Sequence, residues 1–260
     1  MKKTDLVQKM LAAGQLPHSL FKYRSLSGES KKYTLDIFRK CELYFAAPKS
    51  FNDPFDCNLP LVLSSREELA ESIALRQTLG YSSSDVRKHV LSDKKIKSHI
   101  KRAVDRVMNS HGVCCFSRKC DDILMWSHYG DCHRGICLEF DVSEDPGFFV
   151  FPQNVKYQDS YPLFDVSQED GIQKYIGALI STKYSAWAYE EEIRVYKAKN
   201  HPYPFNPKIL KSVIFGCKSD DATISEVIKV VRDNDALSHV RFSKVVMDDK
   251  AYKLNLIDTF

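Results

Sequence analysis

The sequence predicts an α+β fold, a mixed and mainly antiparallel sheet with flanking helices. Three observations carry that expectation. Strand-length apolar runs alternate with helical periodicity near the N-terminus, a helical block follows from 65 to 110, and short strands with intervening helices fill the remainder. The 260 residues read as a single domain, with the 65–110 block as a helical insertion or cap.

Thr4 as an N-cap candidate and Gly14 as a stop frame a first helix over "TDLVQKMLAAG". "SLFKYRSL" reads as a strand, "YTLDIFRK" as a helix, and "ELYFAAP" as a strand that Pro48 ends. "KSFNDPFD" is a turn-rich loop, in which Asn52, Asp53 and the fixed φ of Pro54 favour a reversal. The helical block contains "REELAESIALRQTLG" and "SDVRKHVLSDKKIKSHIKRAVDRVM". Lys94, Lys95, Lys97, Lys101 and Arg102 give its second piece a basic face, which reads first as solvated and second as a place for an acidic macromolecule. Strands follow at "GVCCFS", "GICLEFD", "NVKYQD", "EIRVYK", "SVIFGC", "RFSKVVMDD" and "YKLNLID". Helices intervene at "DDILMWSHYG", "QEDGIQKYIGALISTKYS" and "DATISEVIKVVRDN".

Composition sets outer bounds. With 43% hydrophobic residues the chain can bury a sizeable core, and 38 basic against 34 acidic side chains permit a nucleic-acid partner without demanding one. No apolar run approaches the roughly 20 residues that span a bilayer, and the N-terminus lacks a signal-like stretch. A cytoplasmic protein with no membrane partner is expected, and the eight cysteines read as reduced thiols in mostly apolar surroundings. Nothing in the sequence signals an oligomeric state.

Three places put reactive side chains at strand ends or loops. The first is Tyr23 and Arg24, where a strand arginine can hold a phosphate or carboxylate, or instead pair with Asp36 or Glu42. The second runs from 112 to 141: Ser117 ends a strand, a helix carries Trp126, His128 and Tyr129, and a second strand follows. His128 can serve as a base, or be packed and satisfied. Cys120, His128, Cys132, His133 and Cys137 raise the question of zinc, but their spacing matches no usual zinc knuckle, and no metal is expected.

The third place is "AWAYEEEIRVYK", residues 186–197. In an extended chain Glu190 and Glu192 share one face, and two like charges held close raise the proton affinity of at least one. Arg194 on the same face offers a plain ion pair. The alternative is a Glu-x-Glu pair that stabilises a developing positive charge, with Trp187 and Tyr189 touching the substrate.

These motifs together carry a resemblance. "LFKYRSL", "LYFAAPKSFNDPFD", "CFS" with "LMWSHYGDCHRGICLEFD", and "WAYEEEIRV" resemble the bacterial family called domain of unknown function 2971, from about Phe21 to about Gly216. The family name implies no chemistry. A more distant similarity is to ADP-ribosyltransferases of the arginine, serine, glutamate class, matched in order by Arg24, Ser117, Glu190 and Glu192. The Ser-Thr-Ser run of that class is Phe-Ser-Arg here, and Tyr44 with Ser50, or Ser181 with Thr182, compete for the middle motif.

That similarity implies NAD as substrate and cleavage of its nicotinamide–ribose bond through a ribosyl cation, which a pre-set carboxylate stabilises. Glu192 would be that carboxylate and Glu190 would activate the acceptor. Arg24 would hold the NAD pyrophosphate or ribose edge, and Tyr23 and Asn52 would also bind NAD. Ser117 would orient the glutamate, Tyr129 or Trp126 would stack on nicotinamide, and His128 would be a further NAD-binding residue. The acceptor would be a nucleic acid or a protein, and the bacterial setting would suit a toxin or phage-defence effector. Two rivals remain: a sensor module that binds a nucleotide without consuming it, and a magnesium-dependent nucleic-acid hydrolase using Asp53, Asp56, Glu190 and Glu192.

Overall fold

The computed structural model describes residues 3–64, 93–168 and 170–258. The expected helix "REELAESIALRQTLG" and the start of the second helical piece lie outside the described residues. The elements in order are α1 (Lys3–Ala12), β1 (Ser19–Arg24), α2 (Gly28–Lys40), β2 (Glu42–Tyr44), α3 (Asp93–Ser110), β3 (Gly112–Ser117), α4 (Ile123–His128) and β4 (Ile136–Asp141). Then come β5 (Gln153–Asn154), β6 (Lys156–Gln158), α5 (Gly171–Ser181), β7 (Thr182–Tyr184), β8 (Glu192–Lys197), β9 (Pro202–Pro204), β10 (Leu210–Phe215), α6 (Asp221–Arg232), β11 (Arg241–Met247) and β12 (Leu254–Asp258).

Eight strands form one sheet in the order β12-β11-β10-β4-β1-β3-β8-β5. Every pairing in it is antiparallel except β10 with β11, where α6 makes the crossover that a parallel pair requires. The α+β expectation therefore holds, with a mainly antiparallel sheet. Two small ribbons flank it, β2 with β9 and the parallel pair β6 with β7.

Alternation along the strands divides the sheet into two faces. Leu20 of β1, Cys114 and Phe116 of β3, Leu138 of β4 and Ile193 and Val195 of β8 join one large apolar cluster with α1, α2 and α6. On the opposite face Tyr23, Cys137 and Ile214 pack on Met125 and Trp126 of α4. A separate apolar cluster unites Ile96, Ile100 and Val104 of α3 with Ile172, Tyr175 and Leu179 of α5.

Several elements differ from expectation for local reasons. Thr4 sits inside α1 rather than capping it, while Gly14 takes a φ of 66°, which a glycine adopts without strain. The long helix expected through "ISTKYS" stops at Ser181, and Thr182–Tyr184 leave as strand β7 beside β6. Among the described residues no helix is long and apolar enough to cross a membrane, and all eight cysteines are free thiols.

Candidate functional site

The "WAYEEEIRV" stretch is not extended throughout. Ser185–Glu190 form a 3₁₀ turn, Glu191 takes a left-handed φ of 43°, and only Glu192 enters β8. This kink sends Glu191 outward to Lys119, 2.5 Å away, and turns Glu190 and Glu192 inward together. Simple strand alternation thus gave the right face for the wrong backbone.

What holds the two inward carboxylates is Lys183 from β7. Its Nζ donates to Glu190 Oε2 at 2.5 Å and to Glu192 Oε2 at 3.2 Å, and lies 3.8 Å from Asp56 Oδ2. Arg194, two residues along β8, grips Glu192 with Nε and Nη2 at 2.8 and 3.0 Å. The same guanidinium is bidentate to Asp56, at 3.0 and 2.6 Å, and its Nη1 also donates to the carbonyl of Ile180 at 3.2 Å. All five side chains are buried, Arg194 completely. Their fork geometry is the kind that compensates a buried charge.

Three carboxylates face two cations, and the two glutamates respond in opposite directions. Burial pushes the Glu190 carboxyl above its ordinary range; Lys183 opposes the shift and the Glu192 charge adds to it. Glu192 is equally deprived of water, but Arg194 and Lys183 overcome that and hold it down at about 2. Glu192 is therefore held as an anion, whereas Glu190 takes up a proton more readily than an ordinary glutamate. The ammonium of Lys183 lies between these carboxylates. Among the described residues no group of three or more His, Cys, Asp or Glu side chains is placed to hold a metal ion.

Of the residues expected at the site, several converge on Glu190. Tyr129 donates to Glu190 Oε1 at 2.8 Å and also hydrogen-bonds Asn52. Ser117 donates to the Glu190 carbonyl at 2.7 Å, while the rival candidates Tyr44 and Ser50 are exposed on the β2 side. Tyr189 and His128 bond through Oη and Nδ1 at 2.8 Å, and Trp187 lays its ring 5.1 Å from Lys183 Nζ.

Three expected residues do not join them. Arg24 shares its sheet face with Leu20 and bonds Thr34 of α2 at 3.2 Å, so it faces the apolar cluster rather than Glu190, and it pairs with neither Asp36 nor Glu42. Tyr23 is buried, with its hydroxyl on the Lys119 carbonyl at 3.0 Å. Trp126 is fully buried, edge-on to Tyr23 at 5.2 Å, and its Nε1 donates to the Cys120 carbonyl, so it has no free ring face for a ligand.

Beside Lys183 opens a cavity of about 540 Å³, lined by Phe55, Leu59, Gln158, Tyr161, Tyr184 and Trp187 among others. In its wall the side-chain nitrogen of Gln158 is buried without any hydrogen-bond partner. Asp159, also in the wall, accepts a hydrogen bond from Ser185. The sequence reading missed Lys183, Asp56 as its partner, and Gln158. The one available signal was a lysine between Thr182 and Tyr184, a pattern that strand propensity favours over the helix assigned there.

No curated protein and no solved structure matches the chain. A family match covers 125–195, narrower than the motif resemblance but including α4 from Met125 onward, Lys183, the three glutamates and Arg194. Over that stretch the chain is similar to the family described as "Protein of unknown function (DUF2971)".

Proposed function

We propose that the chain binds a small ligand carrying a flat ring in the cavity between Gln158 and Trp187, with the neighbouring Glu190 carboxyl as its proton-carrying group. The observation behind this reading is the partnerless Gln158 nitrogen in the cavity wall. A buried donor left unpaired costs about 1–3 kcal/mol, which an acceptor atom on a ligand would recover. The volume of about 540 Å³ suits a small molecule. Phe55, Tyr161 and Tyr184 are all exposed around it, and a planar ring between them and Trp187 would remove that apolar area from water.

A second reading is ADP-ribosyl transfer from NAD to a protein or nucleic acid, in a toxin or phage-defence role. Its support is that Ser117 and Tyr129 both fix Glu190, and that nicotinamide is a flat ring with a carboxamide oxygen for Gln158. In this reading Glu190, rather than Glu192, faces the ribosyl cation, because two cations, Arg194 and Lys183, hold Glu192 whereas Lys183 alone holds Glu190. Arg24 takes no part.

Calorimetry with nicotinamide, adenosine, ADP-ribose and NAD, beside an assay for nicotinamide release, tests both. Binding of at least one of these that Gln158→Leu and Trp187→Ala abolish is the expected result. Release from NAD that Glu190→Gln removes adds the transferase. Heat from none of the four, or heat that both cavity variants leave unchanged, contradicts the binding site.

A further inference from the structure

Cys217, His133 and Ser127 form a second constellation that shares no residue with the charge cluster. Cys217 follows β10 through Gly216, where any side chain would collide with the carbonyl oxygen of His133. The Lys218 N–H donates to that same carbonyl at 2.9 Å, so the two segments are locked backbone to backbone. His133 closes a run of three left-handed non-glycine residues, Asp131, Cys132 and His133, with φ of 53°, 51° and 70°. Such a run costs energy, and it aims the imidazole at Cys217.

The ring lies between two partners: Nε2 is 3.0 Å from Ser127 Oγ and Nδ1 is 3.7 Å from Cys217 Sγ. Proton placement follows from Ser127, whose single hydroxyl proton goes to the Ile123 carbonyl at 2.9 Å. Ser127 can then meet His133 only as an acceptor, so Nε2 carries the ring proton and Nδ1 presents a lone pair to the Cys217 S–H. Nucleophile, base and orienting group stand in the order that activates a thiol. Burial, with Lys218 beside it, lowers the His133 pKa and favours this neutral form. A cavity of about 550 Å³, lined by Ile123, His133, Cys217, Lys218 and Tyr252 among others, opens onto the thiol.

We infer that Cys217 is a nucleophilic thiol with His133 as its base, and that it reacts with low-molecular-weight disulfides entering this cavity. The Cys217 proton passes to His133 Nδ1, and the thiolate sulfur bonds one sulfur of the incoming disulfide. That disulfide's own S–S bond breaks, and its departing thiolate takes the proton from Nδ1. The products are a mixed disulfide on Cys217 and one free small thiol.

Cys132 is the internal control, because it is exposed whereas Cys217 is only partly so. The full chain is incubated with glutathione disulfide at neutral pH, and the mixed disulfide at each cysteine is followed by peptide mass spectrometry. Cys217 is expected to react at least about fivefold faster than Cys132, with His133→Gln removing the advantage and Ser127→Ala reducing it. Ser127→Ala deletes one hydroxyl on α4, and circular dichroism of both variants verifies the fold. Equal rates at Cys217 and Cys132 in the wild type, or a Cys217 rate that neither variant changes in folded protein, overturns the inference.

Discussion

The two faces of the β3–β8 pair are made of alternate residues of the same two strands, yet they are stabilised by opposite means. On one face Cys114, Phe116, Ile193 and Val195 are held by apolar area against the cluster that α1, α2 and α6 complete. On the other, Cys115, Ser117, Glu192 and Arg194 are held by pairing, and the pairs are closed by Asp56 and Lys183 from outside the main sheet. Loss of a residue on the first face leaves a cavity, whose cost does not depend on pH. Loss on the second leaves a charge, whose cost does.

The largest effects break that contrast directly. Arg194→Met leaves Asp56, Glu190 and Glu192 to share Lys183 as their buried cation and should cost about 3–5 kcal/mol near neutrality. Phe116→Ala should cost a similar 3–5 kcal/mol through its cavity. Denaturant unfolding separates them: the Arg194→Met penalty should shrink on acidification, as the carboxylates take up protons, while the Phe116→Ala penalty stays level.

Glu192 gives the next effect, with a definite sign. Its carboxyl is lowered in the folded state from an ordinary 4.5 to about 2, so its stabilisation is complete above 4.5 and lost as pH falls towards 2. That window corresponds to on the order of 3 kcal/mol. Glu190 acts in the opposite sense, since its raised pKa weakens folding as pH rises through it. Unfolding free energies of wild type and Glu192→Gln between pH 5 and 2 should therefore differ in slope, with the wild type steeper. Parallel slopes would mean that Arg194 does not hold the Glu192 charge.

A smaller change sharpens the picture of Glu190. Tyr129→Phe removes one hydrogen bond to its carboxyl and should cost about 1.5–3 kcal/mol. It should also raise the Glu190 pKa further, because that bond favours the ionised form. Carboxylate carbon NMR of the variant reads the shift. The smallest effect is expected at Arg24: Arg24→Gln loses the bond to Thr34, about 1 kcal/mol, and leaves ligand binding in the Gln158 cavity unchanged because Arg24 lies on the other face.

The contrast also explains what the sequence made legible. The period-2 pattern of "CCFS" and "EIRVYK" gave both strands, and the pairing of Glu192 with Arg194 was open to reading because both residues lie on one strand. Arg24 was equally legible as a strand residue. Its face relative to Glu190 depends on strand order, however, and β1 and β8 are separated by β3. Asp56 and Lys183 were not legible as partners, since they lie far apart in the chain and only the tertiary fold brings both to Arg194 and Glu192. Ser117, Tyr129 and Glu190 were named for the right neighbourhood, although Ser117 bonds a backbone carbonyl where a side-chain contact was expected.

The central claim is that the polar face ends in a cavity whose Gln158 amide awaits a ligand acceptor. Its most direct test is the side-chain amide NMR signal of Gln158, assigned by its absence in Gln158→Leu, during titration with nicotinamide and with adenosine. The account predicts a saturable downfield shift of that signal with at least one of them, lost in Trp187→Ala. A Gln158 signal that neither compound moves, or one that moves identically when Trp187 is removed, would contradict it.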